Sequence, residues 1–190
     1  MLRSRSNPVS FPALEKILSY QNDDVIARFA EDHGVSLSDS QEIFFEMKRW
    51  LWLCAKRKVA LENGAEFFQV PLFNEAYAID LMWHTFLLYT QDYADFCETH
   101  FGFFVHHQPR SQAERKLWQE KIRTNADAAW EERRRDLKKV YSYLYDELGG
   151  EILVKWCEEF PVRFKGLRKE VRTQPSDSTV REIPQNQYSG

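Results

Sequence analysis

Apolar residues return every three or four positions through most of this chain, the spacing of helices rather than strands. Leu14, Ile17 and Leu18 make a first short stripe, opened by Ser10 and Pro12, a capping hydroxyl and a residue preset for a first helical turn. Asn22, with Asp23 and Asp24 behind it, opens a second stripe through Val25, Ile26 and Phe29. Gly34 closes that stripe, because glycine takes the left-handed cap conformation cheaply. The run SLSDSQEIFFEMKRWLWLCAKRK is the cleanest helix. Ile43, Met47, Trp50, Leu51 and Cys54 share a stripe, and Lys48, Arg49, Lys56 and Arg57 are expected on other faces or at its C-terminal end.

After Asn63–Gly64, residues Phe67, Phe68, Val70, Pro71 and Leu72 read as a short extended crossing. From Asn74 to about Tyr89 the chain is apolar nearly all round, which predicts a central, buried helix. Thr90 and Asp92 restart it as a neighbour with an inner face of Tyr93, Phe96, Cys97 and His100, ended by Gly102. Residues 103–107 read as extended, and Pro109 ends them. A helical start at Ser111 leads into one charged segment reaching Leu148, with Trp130, Leu137, Tyr141, Leu144 and Leu148 as its apolar stripe. Ile152, Leu153, Val154, Trp156 and Phe160 mark the last element. The expected fold is all-α, an irregular bundle of about six or seven helices. Residues 1–9 are a loose lead, 10–165 one helical domain and 166–190 a flexible tail too polar to order itself.

Composition changes this picture in two ways. Aromatics reach 15 % of the 190 residues, more than a small helical core usually requires, so part of them is expected to form a surface for a protein partner. The four consecutive large residues 50–53, Trp-Leu-Trp-Leu, are one candidate, and the alternative is that they face two different neighbours. Only 7 Gly are present, too few for a phosphate-cradling loop, so no nucleotide cofactor is expected. The net charge of −3 pulls the chain toward neither DNA nor anionic membrane. In EERRRDLKK the acids and bases sit at pairing distance on a helix, which argues against a nucleic-acid face. Without a leader-like opening, and with three cysteines in no framework spacing, a cytoplasmic protein is expected.

The candidate chemistry lies in DLMWHTFLLYTQDYADFCETHFGFFVHH. Four of the five histidines and one of the three cysteines fall between residues 84 and 107. Asp80 and His84 are four apart and Cys97 and His100 three apart, so each pair shares a helical face. A bend near Thr90–Gln91 would lay the second helix against the first and bring His84 opposite Cys97 and His100. Alternation along 103–107 lets one of His106 and His107 join them. His84, Cys97, His100 and that histidine are the atom types zinc takes in a tetrahedron, with Asp80 as an oxygen ligand or as the carboxylate orienting His84. The alternative is that the cluster is packing: buried cysteine behaves as a small hydrophobe, and histidine settles against a backbone carbonyl.

The string IDLMWHTFLLYTQDYADFCETHFGFFVHHQP also resembles the glycine-rich domain protein family, especially its bacterial members. The likeness lies in Asp-x-x-Trp-His-Thr (Asp80, Trp83, His84, Thr85), a Tyr-x-x-Phe-Cys segment (Tyr93, Phe96, Cys97), Phe101–Gly102 and His-His-x-Pro (His106, His107, Pro109). It covers residues 70–109, and 38–58 loosely. This chain has Phe86 where plant members carry a second histidine, and it lacks a glycine- and cysteine-rich tail. The resemblance implies no reaction. Three expectations follow: an interaction protein stiffened by the cluster, with or without zinc, that contacts a protein partner through aromatics or the 166–190 tail; a metal-dependent hydrolase-like enzyme using the same cluster as an open site; or a purely structural core.

Overall fold

The computed structural model describes residues 11–66, 68, 74–109 and 111–167, and it is all-α, with no strand among them. The expected Ser10 cap, the lead-in, most of the 67–72 crossing and the tail beyond Leu167 lie outside the described residues. Helix α1 is Leu14–Leu18, α2 Asp23–His33 and α3 Leu37–Glu62. The Asn22 side chain accepts from the Val25 amide at 3.0 Å, and Gly34 ends α2 at φ 63°. Ser36 caps α3, accepting from the Asp39 amide at 3.0 Å.

With 26 residues, α3 runs about 39 Å and is the axis of the molecule, packed against α1, α2 and a later helix, α4 (Tyr77–Leu88). That position explains why Trp50, Leu51, Trp52 and Leu53 are all buried and form no surface patch. Trp50 meets Trp156 from the C-terminal part of the chain, ring centroids 5.8 Å apart. Trp52 turns the other way, onto Phe11, and donates its indole N–H to the Pro12 carbonyl at 2.8 Å.

The same centrality corrects two charge assignments on α3. Lys48 is 1 % exposed, and its ammonium donates to the carbonyls of Leu18 and Tyr20, both at 2.6 Å, closing the free end of α1. Arg57 is also buried; it binds the carbonyls of Glu66 and Phe68 and lies 3.6 Å from the Phe68 ring centroid.

A 3₁₀ turn, Asn74–Ala76, leads into α4, and α5 (Thr90–Phe101) follows after Tyr89 leaves helical geometry. Gly102 ends α5 at φ 74°. Residues 103–109 have no regular structure. Ser111 opens α6 (Gln112–Thr124) with a capping box to Glu114. The charged segment divides into two helices: Asn125 accepts from the Ala128 amide at 3.1 Å and starts α7 (Ala126–Leu148). The reach of its apolar stripe is also corrected. Trp130 is 51 % exposed and pairs edge-on with Trp118 of α6, while Val140 and Leu144 enter the core.

The chain ends in α8 (Gly150–Val154), a π turn (Lys155–Glu159) and α9 (Phe160–Arg163). Pro161 has no N–H for a regular helical bond back to Cys157, and the Phe160 amide reaches to the Lys155 carbonyl instead. Order continues past the expected boundary at 165: Leu167 is 6 % exposed and joins the core.

Ion pairs hold this end to α3. Arg163 binds Asp39 and Glu42, and Lys155 binds Glu42 at 2.7 Å and the buried Glu46 at 2.9 Å. The Arg163 guanidinium holds Asp39 below its ordinary 3.8. Burial alone would push Glu42 up, but the bonds from Lys155 and Arg163 outweigh it and leave the pKa below 4.5. Both folded values lie under the unfolded ones, so this contribution is complete above pH 4.5 and is lost as pH falls through the lowered values. Urea unfolding at pH 7 and pH 3 should therefore show an acid loss of stability that is smaller in Arg163→Gln. An equal loss in both proteins would mean that these pairs contribute nothing.

Candidate metal centre

Helix α4 sorts its side chains by face. Trp83 and Phe86 look toward α5: the Trp83 indole donates to the Tyr93 hydroxyl at 2.9 Å, and Phe86 packs edge-on against Tyr93 and Phe96. His84 follows Trp83 by one residue and is turned about 100° around the axis, onto the outer face with Asp80. The histidine expected to look across at α5 therefore looks outward instead, and is exposed.

The segment after α5 supplies the third group. Tyr93 donates to the Val105 carbonyl at 2.6 Å, which pins the chain beside α4. From there the side chains alternate: Val105 is buried, His106 exposed and His107 half-buried. The Nε2 of His107 lies 2.8 Å from Oδ1 of Asp80, and its ring sits 4.3 Å from Trp83 and 4.6 Å from His84, centroid to centroid. One ligand atom each from Asp80, His84 and His107 lie within 4.8 Å of one another. The carboxylate and His107 side chains are 27 % and 18 % exposed, so the group sits at the surface with one side supported.

The remaining expected ligands go elsewhere. Cys97 is fully buried between helices, where burial pushes its thiol pKa up, only partly offset by the Val105 amide and the Tyr93 hydroxyl. It serves as packing there. His100 packs its ring on Phe96, 4.8 Å between centroids, and burial lowers its pKa, with Lys16 and Lys48 adding to the effect. His106 rests on Phe104, 5.0 Å away. Of the expected set, His84, Cys97, His100 and one of His106 or His107 with Asp80 beside them, the structure brings together Asp80, His84 and His107 and leaves out Cys97, His100 and His106, because the α4 face that meets α5 is set by its aromatic residues and not by its histidine.

Zinc bonds of about 2.0 Å place tetrahedral ligand atoms about 3.3 Å apart. The Asp80–His107 pair already falls within that span, and a ligand atom of the exposed His84 lies within 4.8 Å of both. Two imidazoles and a carboxylate suit a divalent transition ion, and three protein ligands leave a position for an outside group. Sequence reasoning missed Glu46 and Lys48 as buried charges. Their signal was a trio of charges, Glu46, Lys48 and Arg49, embedded in the otherwise apolar run FFEMKRWLWL, of which the first two are buried.

A helical domain that gathers two histidines and an aspartate at one surface point is, in class, a candidate metal-binding helical protein. The chain belongs to the UCP032817-like family, whose pattern matches residues 16–131 and so contains all three groups. That description names neither a reaction nor a ligand. No curated protein and no solved structure shows significant similarity to the chain. No helix among the described residues is long and apolar enough to cross a membrane.

Proposed function

We propose that this protein is a binding module of helical construction that holds one divalent transition ion, zinc foremost, at Asp80, His84 and His107. The open position of the ion takes a ligand group from a protein partner. The observation that carries the reading is the convergence of the three ligand atoms within 4.8 Å on an exposed face. A wall on one side and solvent on the other suits a contact made by another molecule better than it suits a reaction needing exclusion of water. The three cysteines are all free thiols, which fits action in a reducing compartment such as the cytoplasm.

A second reading rests on the same ligand count. Three protein ligands plus water is the arrangement of catalytic zinc, and an enzyme of the hydrolase kind would use the ion to generate hydroxide. Activity toward activated esters that appears with zinc and disappears on chelation would favour it.

The test is titration of tag-free, metal-stripped protein with zinc, followed by calorimetry, and with cobalt, followed by its visible spectrum. One ion per chain is expected. His84→Ala, His107→Ala and Asp80→Ala should each weaken binding by at least about tenfold, while His100→Ala and His106→Ala leave it unchanged. Absence of stoichiometric binding, or loss in His100→Ala instead of His84→Ala, would sink the proposal.

A further inference from the structure

Helix α4 packs against α2, α3 and α5 and is open along one stripe. Seven of its twelve residues are buried. The others, Tyr77, Asp80, His84, Leu87 and Leu88, fall within about 100° of the helix circumference. The N-terminal part of this stripe carries two of the metal ligands, and its C-terminal part is leucine. Leu87 and Leu88 stand three and four residues past His84, about 4.5–6 Å further along the axis and one to either side of its line. Leu87 is half-buried, and Leu88 is 69 % exposed. Helical side chains lean toward the N-terminus, so both leucines lean back toward His84. A lone exposed leucine is ordinary. This one differs in standing one turn from a coordination site with an open position.

Charge selects the head group of the guest. A divalent ion held by one carboxylate and two neutral imidazoles keeps one positive charge. Asp80 is the one acid of α4, and no Lys or Arg occurs between residues 59 and 109. Lys58, which lies over the Phe103 ring at 3.7 Å, is also 3.3 Å from Glu62. On α5, Asp95 and Glu98 stand about half a turn from Tyr93, the residue that meets Trp83 of α4, so both carboxylates face away from the stripe. A carboxylate in the open position brings the centre to neutrality, whereas a protonated amine has no lone pair to offer. Its carbon chain then has the leucines to lie on.

We infer that the open position of the ion and the two leucines form one subsite for an alkyl carboxylate, its oxygen on the ion and its carbons along Leu87 and Leu88. The inference rests on the metal reading above and names the class of group that completes the coordination. One helical turn, about 5.4 Å, is the reach of a chain of about five carbons. Two sources carry this chemistry: a free alkyl acid, and the C-terminal carboxylate of a protein that ends in an aliphatic residue.

The experiment loads the full, tag-free chain with cobalt and follows its visible spectrum during titration with acetate, hexanoate, hexanamide and Nα-acetyl-leucine. Hexanoate should saturate the spectral change at about tenfold lower concentration than acetate, because part of its chain leaves water. Hexanamide, which keeps the chain and loses the charge, should leave the spectrum as it was. Leu88→Ser, at an exposed position and still with one cobalt per chain, should erase the difference between hexanoate and acetate. Tighter binding of Nα-acetyl-leucine than of hexanoate assigns the subsite to a protein C-terminus, and the reverse order assigns it to a free alkyl acid. Failure to take up cobalt sinks the metal reading and this inference together. Cobalt uptake with equal affinity for acetate and hexanoate, with saturation by hexanamide, or with the hexanoate advantage intact in Leu88→Ser overturns this inference alone.

Discussion

Trp156→Ala should destabilise the protein by about 3–5 kcal/mol, the range for deleting a fully buried tryptophan. The indole packs on Trp50 of α3 and donates to Oε2 of Glu46 at 3.0 Å, so the substitution opens a cavity and strips a partner from a buried carboxylate. Trp156→Phe separates the two effects. It keeps most of the ring and loses the N–H, and should cost about 1–3 kcal/mol. Urea unfolding followed by circular dichroism, with comparable slopes for the three proteins, gives both numbers. A loss below about 1 kcal/mol in Trp156→Ala would mean that the C-terminal helices are not part of the cooperative core.

Tyr93→Phe comes second and reaches the metal centre. The hydroxyl accepts from Trp83 at 2.9 Å and donates to the Val105 carbonyl at 2.6 Å, both in the buried interior. Removing one oxygen leaves an indole N–H and a carbonyl unpaired, at about 1–3 kcal/mol each. Val105 stands two residues before His107, so releasing it also loosens the ring that meets Asp80. Reduced stability together with weaker zinc binding is the expected pair of results. A protein that is destabilised but binds zinc as before would show that His107 is placed by its Trp83 and Asp80 contacts alone.

Much of the frame could be read from local chemistry. Asn22, Gly34, Gly102 and Ser111 mark helix ends through rules that depend only on a few neighbouring residues, and each acts as expected. Asn125 belongs with them, but it lies inside a charged run where no apolar break draws attention to it. The two readings of Trp50 through Leu53, a partner surface or two neighbours within the chain, could not be separated beforehand, because how many neighbours surround α3 is a property of the packed assembly and not of its stripe; the structure bears out the second. Lys48 escaped for a related reason: its partners are two carbonyls at the end of another helix, which leave no trace in side-chain pattern.

At the metal centre the local half was legible and the distant half was not. Asp80 and His84 share a face by spacing alone, and alternation allowed one of His106 and His107 to turn inward. Which face of α4 would meet α5 depended on Trp83 and Phe86 docking against Tyr93 and Phe96, and that choice sent His84 to the opposite company.

The π turn carries a consequence for the angular phase of everything after it. Trp156, Phe160 and Phe164 are all buried and follow each other at intervals of four. A regular helix advances about 400° in four residues, so each successive ring would drift some 40° off the core-facing line. The wider turn at Lys155–Glu159 winds less per residue and absorbs that drift where Trp156 hands over to Phe160. The π turn thus acts as an angular spacer. Loss of a single residue between Trp156 and Phe160 would swing both phenylalanines, and with them Arg163, about a quarter-turn away from α3.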